Sequence, residues 1–110
     1  MKLTIDPGDA YAVIRPEGRI TLSNAAVLRY AVDDLVQQGH ARIVVDLDAV
    51  EFIDSSGLGA LVGAHKTVQQ AGGDLRLAAA PDQVRMVLRL TNLDQVLPNH
   101  PSAEAAFDVD

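Results

Sequence analysis

The chain has no cysteine, which excludes a disulfide framework and thiolate chemistry and suits a cytoplasmic protein. Aromatic residues make up only 4%, so a core has to be built from Val, Leu, Ile and Ala. No apolar run approaches the roughly 20 residues of a membrane-spanning helix. The opening Met1-Lys2-Leu3-Thr4-Ile5-Asp6 brings charge and turn residues too early for a secretory signal. Basic residues are also few: 9 Lys and Arg stand against 15 Asp and Glu, for a net charge of −6. Nucleic-acid binding rests on neutralising phosphates with Lys and Arg. The balance therefore argues against direct nucleic-acid contact and against anionic membrane surfaces, and a basic protein partner is the better match.

What is present is a chain of 110 residues, 48% apolar, the size of one domain with one modest core. Residues 3–5 and 10–15 read as short strands around the turn Asp6-Pro7-Gly8-Asp9, with Pro16-Glu17-Gly18 breaking or bending the second. A helix follows, with Asn24 as its N-cap, Leu28, Val32 and Leu35 on one stripe, and Gly39 at a left-handed C-terminal position. Residues 42–47 ("RIVVDL") are apolar on both faces, as in a buried central strand. A second helix is expected over 57–70 and a strand over 74–78. Pro81 opens a third helix carrying Val84, Val87 and Leu88; residues 95–97 form a last short strand, and Ser102 caps a terminal turn. Strands alternating with helices imply crossovers. The expectation is one α/β domain over 1–110, with a mixed, mostly parallel sheet of about four or five strands and about four helices.

The chemistry concentrates in "EFIDSSGLGA", residues 51–60. Asp46, Asp48, Glu51 and Asp54 fall within nine residues, and no Lys or Arg lies between Arg42 and Lys66. As a nucleophile Ser55 lacks a partner: His65, ten residues on, is about 15 Å away along a helix, and the surroundings are not the G-x-S-x-G elbow. Gly57-Leu58-Gly59 does not continue into G-x-G-x-x-G, since the third glycine comes late, at Gly63, and a Walker ending is absent. Gly59 and Gly63, four apart, suit close packing of the helix on the sheet. The three histidines lack carboxylate or cysteine neighbours at ligand spacing, so neither a metal nor a cofactor is expected, and His65 reads as a structural residue. Asp54-Ser55-Ser56 admits two readings. One is a helix cap, a hydroxyl or carboxylate accepting a first-turn amide. The other is a regulatory site, an exposed hydroxyl at the positive end of a helix where a phosphoryl group would meet free amides.

"VVDLDAVEFIDSSGLGALVGAHK", residues 44–66, resembles the central block of the STAS-domain anti-sigma factor antagonists, the anti-anti-sigma factors. The likeness extends to Gly18 with Ile20, to Gly72-Gly73 and to "APDQVRMVLRLTNLDQVL". The resemblance implies that Ser55, directly after the aspartate, is phosphorylated by an anti-sigma factor that is also a serine protein kinase. It further implies that the unphosphorylated chain binds this anti-sigma factor and frees a sigma factor, and that a protein phosphatase resets the cycle. The chain is then ligand and substrate, not enzyme, in the cytoplasm. The residues it implies for partner binding are Asp54, Ser55, Ser56, Gly57, Leu58, Thr21, Asp46 and Asp48. One departure stands out: the family pattern Gly-x-Leu-Asp is here Gly18-Arg19-Ile20-Thr21, so Thr21 replaces an acid that helps engage the kinase. That departure supports an alternative, a constitutively binding STAS subunit or scaffold, for example of a lipid-transport ATPase.

Overall fold

The computed structural model describes residues 1–108. Its elements are β1 (Lys2–Asp6), β2 (Ala12–Ile20), α1 (Ala25–Gln37), β3 (Arg42–Asp46), β4 (Val50–Ile53), α2 (Ser55–Gln70), β5 (Asp74–Ala78), α3 (Asp82–Leu90) and β6 (Asn99–His100), with single 3-10 turns at Leu93–Gln95 and Ala105–Phe107. The α/β class and the mostly parallel mixed sheet are as expected. The described sheet has six strands rather than four or five, and three α-helices plus two 3-10 turns take the place of four helices.

The sheet is organised by β2. On one edge β1 pairs with it antiparallel, from Lys2 opposite Glu17 to Asp6 opposite Val13. On its other edge β2 changes partner. Its first half lies parallel to β3, with Ala12, Val13 and Ile14 beside Ile43, Val44 and Val45. Its last residues lie parallel to β4, with Arg19 and Ile20 beside Phe52 and Ile53. Of the two outcomes expected at Pro16-Glu17-Gly18, a break or a bend, the strand shows the bend and runs on to Ile20. Proline removes a ladder donor, but Pro16 falls in the gap where β3 has ended and β4 has not begun. The bend is confined to a register shift between Gly18 and Arg19, with Gly18 at a positive φ of 87° that favours glycine. Beyond β3 follow β5 and β6, both parallel.

The three α-helices share one face of this sheet. α1 buries Leu28, Ala31, Val32 and Leu35, and α2 buries Leu58, Ala60, Leu61, Ala64, His65 and Val68, the spacing of an apolar stripe. They close over Ile14, Ile43, Val45, Leu75 and Leu77 from the strands, and α3 adds Val84 and Leu88. Side chains alternate along a strand, so Val13, Val44 and Ala78 face the other way, where Ala103, Ala106 and Phe107 cover them. Ser102 Oγ accepts the Ala105 amide at 3.1 Å and starts that last turn, as the sequence suggested.

Two further expectations shift. The strand placed at 95–97 lies instead at Asn99–His100, because Leu93–Gln95 closes a 3-10 turn after Asn92, whose φ is 60°. Residues 50–53, to which the sequence reading gave no element, form the strand β4, and α2 starts at Ser55, two residues before Gly57.

Candidate functional site at the start of helix α2

β4 delivers the chain to α2 in a single residue. Asp54, between Ile53 and Ser55, is extended (φ −104°, ψ −174°) and occupies the N-cap position. Its backbone N–H bonds Ile20 O at 3.2 Å, and its carbonyl accepts the first helical amide, Leu58 N, at 3.0 Å. One carboxylate oxygen, Oδ1, accepts the Gly57 amide at 2.9 Å. The other, Oδ2, accepts the Leu22 amide at 3.2 Å, from the connection between β2 and α1. The cap is thus the carboxylate, not a hydroxyl.

That division of labour leaves the serines unoccupied. Ser55 is exposed and Ser56 half-buried. Among the described residues neither hydroxyl and neither backbone N–H has a hydrogen-bond partner, since the cap bonds of α2 belong to Asp54, Gly57 and Leu58. The amides of Ser55 and Ser56, in the first turn of a 16-residue helix, are therefore unbonded beside an exposed hydroxyl, with the partial positive charge of the helix end behind them.

Gly57 explains how the helix start lies so close to the strands. A Cβ there would fall 2.6 Å from Ile53 Cγ1 and 2.7 Å from Ile20 O. The role expected of Gly59 thus belongs to Gly57: Gly59 is exposed with nothing within 4 Å of a built Cβ. Gly63 does serve packing, but against α1, where Arg29 Nη1 would lie 2.6 Å from its Cβ. Leu58 is 7% exposed and belongs to the core, so it supports the site from beneath.

Thr21 stands at the same end of the sheet. Its amide donates to Asn24 Oδ1 at 2.9 Å, and its hydroxyl shares a 3.0 Å bond with that of Ser23. Asn24 precedes α1, as expected, but its side chain does not cap that helix: it bonds Thr21 N and, through Nδ2, Arg19 O at 2.8 Å. Asn24 therefore fixes the loop carrying Thr21 and Leu22 against Asp54.

Asp46 and Asp48 lie elsewhere. Asp46 pairs with Arg15 Nε at 3.2 Å and accepts the Asp48 amide at 3.1 Å. By strand alternation it shares a face with Val44, away from the helices, and the four residues of β4 put about 13 Å of strand between this turn and Asp54. The run of acids in the sequence is therefore split. His65 is buried at 9% exposure, and no hydrogen bond joins any histidine to Ser55 among the described residues. No group of three metal-ligating side chains occurs among them either.

Three neighbours of the site escaped the sequence reading. Leu22, 80% exposed, is held there by its amide bond to Asp54. Arg19 stacks over Phe52 with its guanidinium carbon 4.3 Å from the ring centroid. Gln83, from α3, accepts the Ile53 amide through Oε1 at 3.1 Å and approaches Ile53 O through Nε2 at 3.5 Å. No local pattern marks the first or third; paired positions on β2 and β4 would have marked the second, had β4 been recognised.

The site is thus the exposed start of α2, at one end of a small, mostly parallel mixed sheet with its α-helices on one face. The chain belongs to the STAS domain family, whose model matches residues 1–106. The Bacillus subtilis anti-sigma-B factor antagonist is 34% identical over 80 residues, 73% of this chain and 72% of that one. A Thermotoga maritima protein, provisionally described as an anti-sigma factor antagonist, is 29% identical over 101 residues, 91% of this chain and 89% of its own. The crystal structure of an anti-sigma factor antagonist from Mycobacterium paratuberculosis superposes with a TM-score of 0.84 at 28% identity, covering 96% of this chain and 89% of that one.

Proposed function

We propose that the chain is an anti-sigma factor antagonist switched by phosphorylation at Ser55. Unphosphorylated, it binds an anti-sigma factor that is also a serine kinase and so releases a sigma factor; phosphorylated, it lets go until a phosphatase restores it. The chain is ligand and substrate rather than catalyst, and acts in the cytoplasm. The observation that carries this reading is the free, exposed Ser55 hydroxyl beside the Asp54 cap: the helix start does not need Ser55, so Ser55 is available for modification. The names of its relatives support the partner class.

The physics of the switch is local. A phosphoryl group adds about −1.5 to −2 charge and three strong acceptors. On the free protein the unbonded amides of Ser55 and Ser56 receive it. Against a partner surface the same charge meets desolvation or repulsion, and each 1.4 kcal/mol of that is tenfold in affinity. Asp54, Ser55 and Ser56 form the contact, Gly57 and Leu58 hold it in place, and Thr21 flanks it.

The test is phosphate incorporation by the cognate kinase together with binding to the anti-sigma factor. Ser55→Ala is expected to abolish incorporation and keep binding; Ser55→Asp is expected to weaken binding at least about tenfold. Normal incorporation into Ser55→Ala would remove the site assignment. The replacement of the family's acid by Thr21 favours a second reading, a constitutive STAS subunit. Unchanged affinity of Ser55→Asp, with transporter subunits recovered in place of a kinase, would decide for it.

A further inference from the structure

Among the described residues β4 has a strand on one side only, β2. Asp54 N bonds Ile20 O toward β2, and bonding direction alternates along a strand. The N–H and C=O of Ile53 therefore point to the open edge. There the Gln83 carboxamide meets both, accepting the amide at 3.1 Å and placing Nε2 at 3.5 Å from the carbonyl. A primary amide carries the same donor and acceptor as a peptide unit, so Gln83 stands in for one residue of a missing strand. It does so from a rigid mount, because the next residue, Val84, and Leu88 anchor α3 in the core.

From this geometry we propose that Gln83 is a positioning residue for the Ser55 site, pinning the last residue of β4 so that Asp54 and the α2 start carrying Ser55 are held in one orientation. The proposal deepens the reading of Ser55 as the modified residue and rests on it for its kinetic consequence. With Ile53 fixed to Gln83 on one edge and Asp54 to Ile20 on the other, the two residues before Ser55 are clamped from both sides. Gln83 itself bonds only the backbone of Ile53 and not the Ser55 hydroxyl. Its effect on Ser55 runs through the backbone of Ile53 and Asp54.

The test uses the whole chain with two variants, Gln83→Leu, which removes both bonds, and Gln83→Glu, which keeps the acceptor for the Ile53 amide. Amide hydrogen exchange is read by NMR, with Ser55 phosphorylation kinetics alongside. In Gln83→Leu, exchange at Ile53 is expected to accelerate about tenfold, the factor set by ~1.4 kcal/mol, the size of one net hydrogen bond. Amides of β3 and β5 stay as they were. Backbone order at Ser55 and Ser56 falls, and kcat for Ser55 falls about tenfold with KM little changed. A contribution to stability alone would leave both constants intact well below the melting temperature. Gln83→Glu, whose second oxygen faces the Ile53 carbonyl in place of a donor, is expected to fall between Gln83→Leu and wild type in both exchange protection and kcat. Unchanged Ile53 exchange in Gln83→Leu overturns the proposal, as does faster exchange with unaltered order at Ser55 and unaltered kcat. If the wild type takes no phosphate on Ser55, the proposed function fails, and exchange and order at 53–56 still decide whether Gln83 positions the helix start.

Discussion

The Leu22 amide donates to Asp54 Oδ2 at 3.2 Å across 32 positions of sequence, while Oδ1 of the same carboxylate caps α2 through Gly57 at 2.9 Å. One side chain therefore fixes two pieces of backbone, the helix start with Ser55 and the β2–α1 connection with Thr21 and Leu22. An N-cap hydroxyl can complete a helix, but its single oxygen would have to reach both amides, whereas the carboxylate gives each amide an oxygen of its own. That is a physical reason for aspartate at this position.

Asp54→Ala removes both bonds and is expected to lower unfolding free energy by about 0.5–2 kcal/mol, the usual range for losing an N-cap, or a melting temperature drop of roughly 4–8 °C per kcal/mol for a domain near this size. Asp54→Asn keeps the cap through its carbonyl oxygen but turns an NH2 group toward the Leu22 amide, so it is expected to fall between wild type and Ala. Urea denaturation of the three proteins measures the worth of the Leu22 tie by difference. Equal stability of Asn and wild type would show that tie to be worthless.

The glycines of α2 make opposite predictions. Gly57→Ala forces a Cβ to within 2.7 Å of the Ile20 carbonyl, a backbone atom that already accepts from Asp54 N, so the helix start has to move outward. Overpacking of this kind costs about 1–3 kcal/mol, and partner binding should weaken with it. Gly59→Ala meets nothing within 4 Å and gains helix propensity, about 0.5–1 kcal/mol of stabilisation. Thermal melts of the two single variants should shift in opposite directions; a shared direction would contradict the packing described.

This pair also shows how far the sequence could be read. Periodicity placed the apolar stripes of α1 and α3, because Leu28, Val32, Leu35, Val84 and Leu88 repeat at helical spacing. It could not tell Gly57 from Gly59, since their difference lies in Ile20 and Ile53, brought near by the sheet. β4 was missed for a related reason: four residues with an exposed Glu51 between apolar neighbours look like loop unless β2 is known to continue past Pro16. The apparent acidic cluster dissolved because β4 carries Asp54 away from Asp46. Local chemistry at Asp54-Ser55-Ser56 was legible; which group caps and which stays free depended on the contact with Leu22.

The far face of the sheet gives a prediction independent of the site. The guanidinium carbons of Arg76 and Arg42 lie 4.4 and 5.5 Å from the Phe107 ring centroid, with the Tyr11 ring at 5.9 Å, and Phe107 packs with Val13, Val44 and Ala78. Phe107→Ala is expected to cost about 3 kcal/mol or more, while Phe107→Leu should retain most of the covering area and lose chiefly the cation–π part, about 0.5–1 kcal/mol per pair. Denaturant midpoints separate the two. Phosphorylation of Ser55 should be unaffected in Phe107→Leu, since the ring lies on the opposite face from α2.

Whether the switch acts through charge or through unfolding is decided by the stability of Ser55→Asp in the absence of any partner. The exposed first-turn position of α2, with unbonded amides at Ser55 and Ser56, favours a negative charge by about 0.3–1 kcal/mol at low ionic strength, and repulsion from the neighbouring Asp54 carboxylate opposes it. The expected net change in unfolding free energy is within about 1 kcal/mol of zero, shrinking further as salt screens both contributions. Binding to the anti-sigma factor should nonetheless fall at least about tenfold, equivalent to ~1.4 kcal/mol or more. Urea titration and a binding isotherm on the same preparation compare the two directly. If stability instead dropped by more than about 2 kcal/mol, a size tied to a lost structural feature rather than a surface charge, the weakened binding would reflect a damaged helix start and the electrostatic account of the switch would have to be given up.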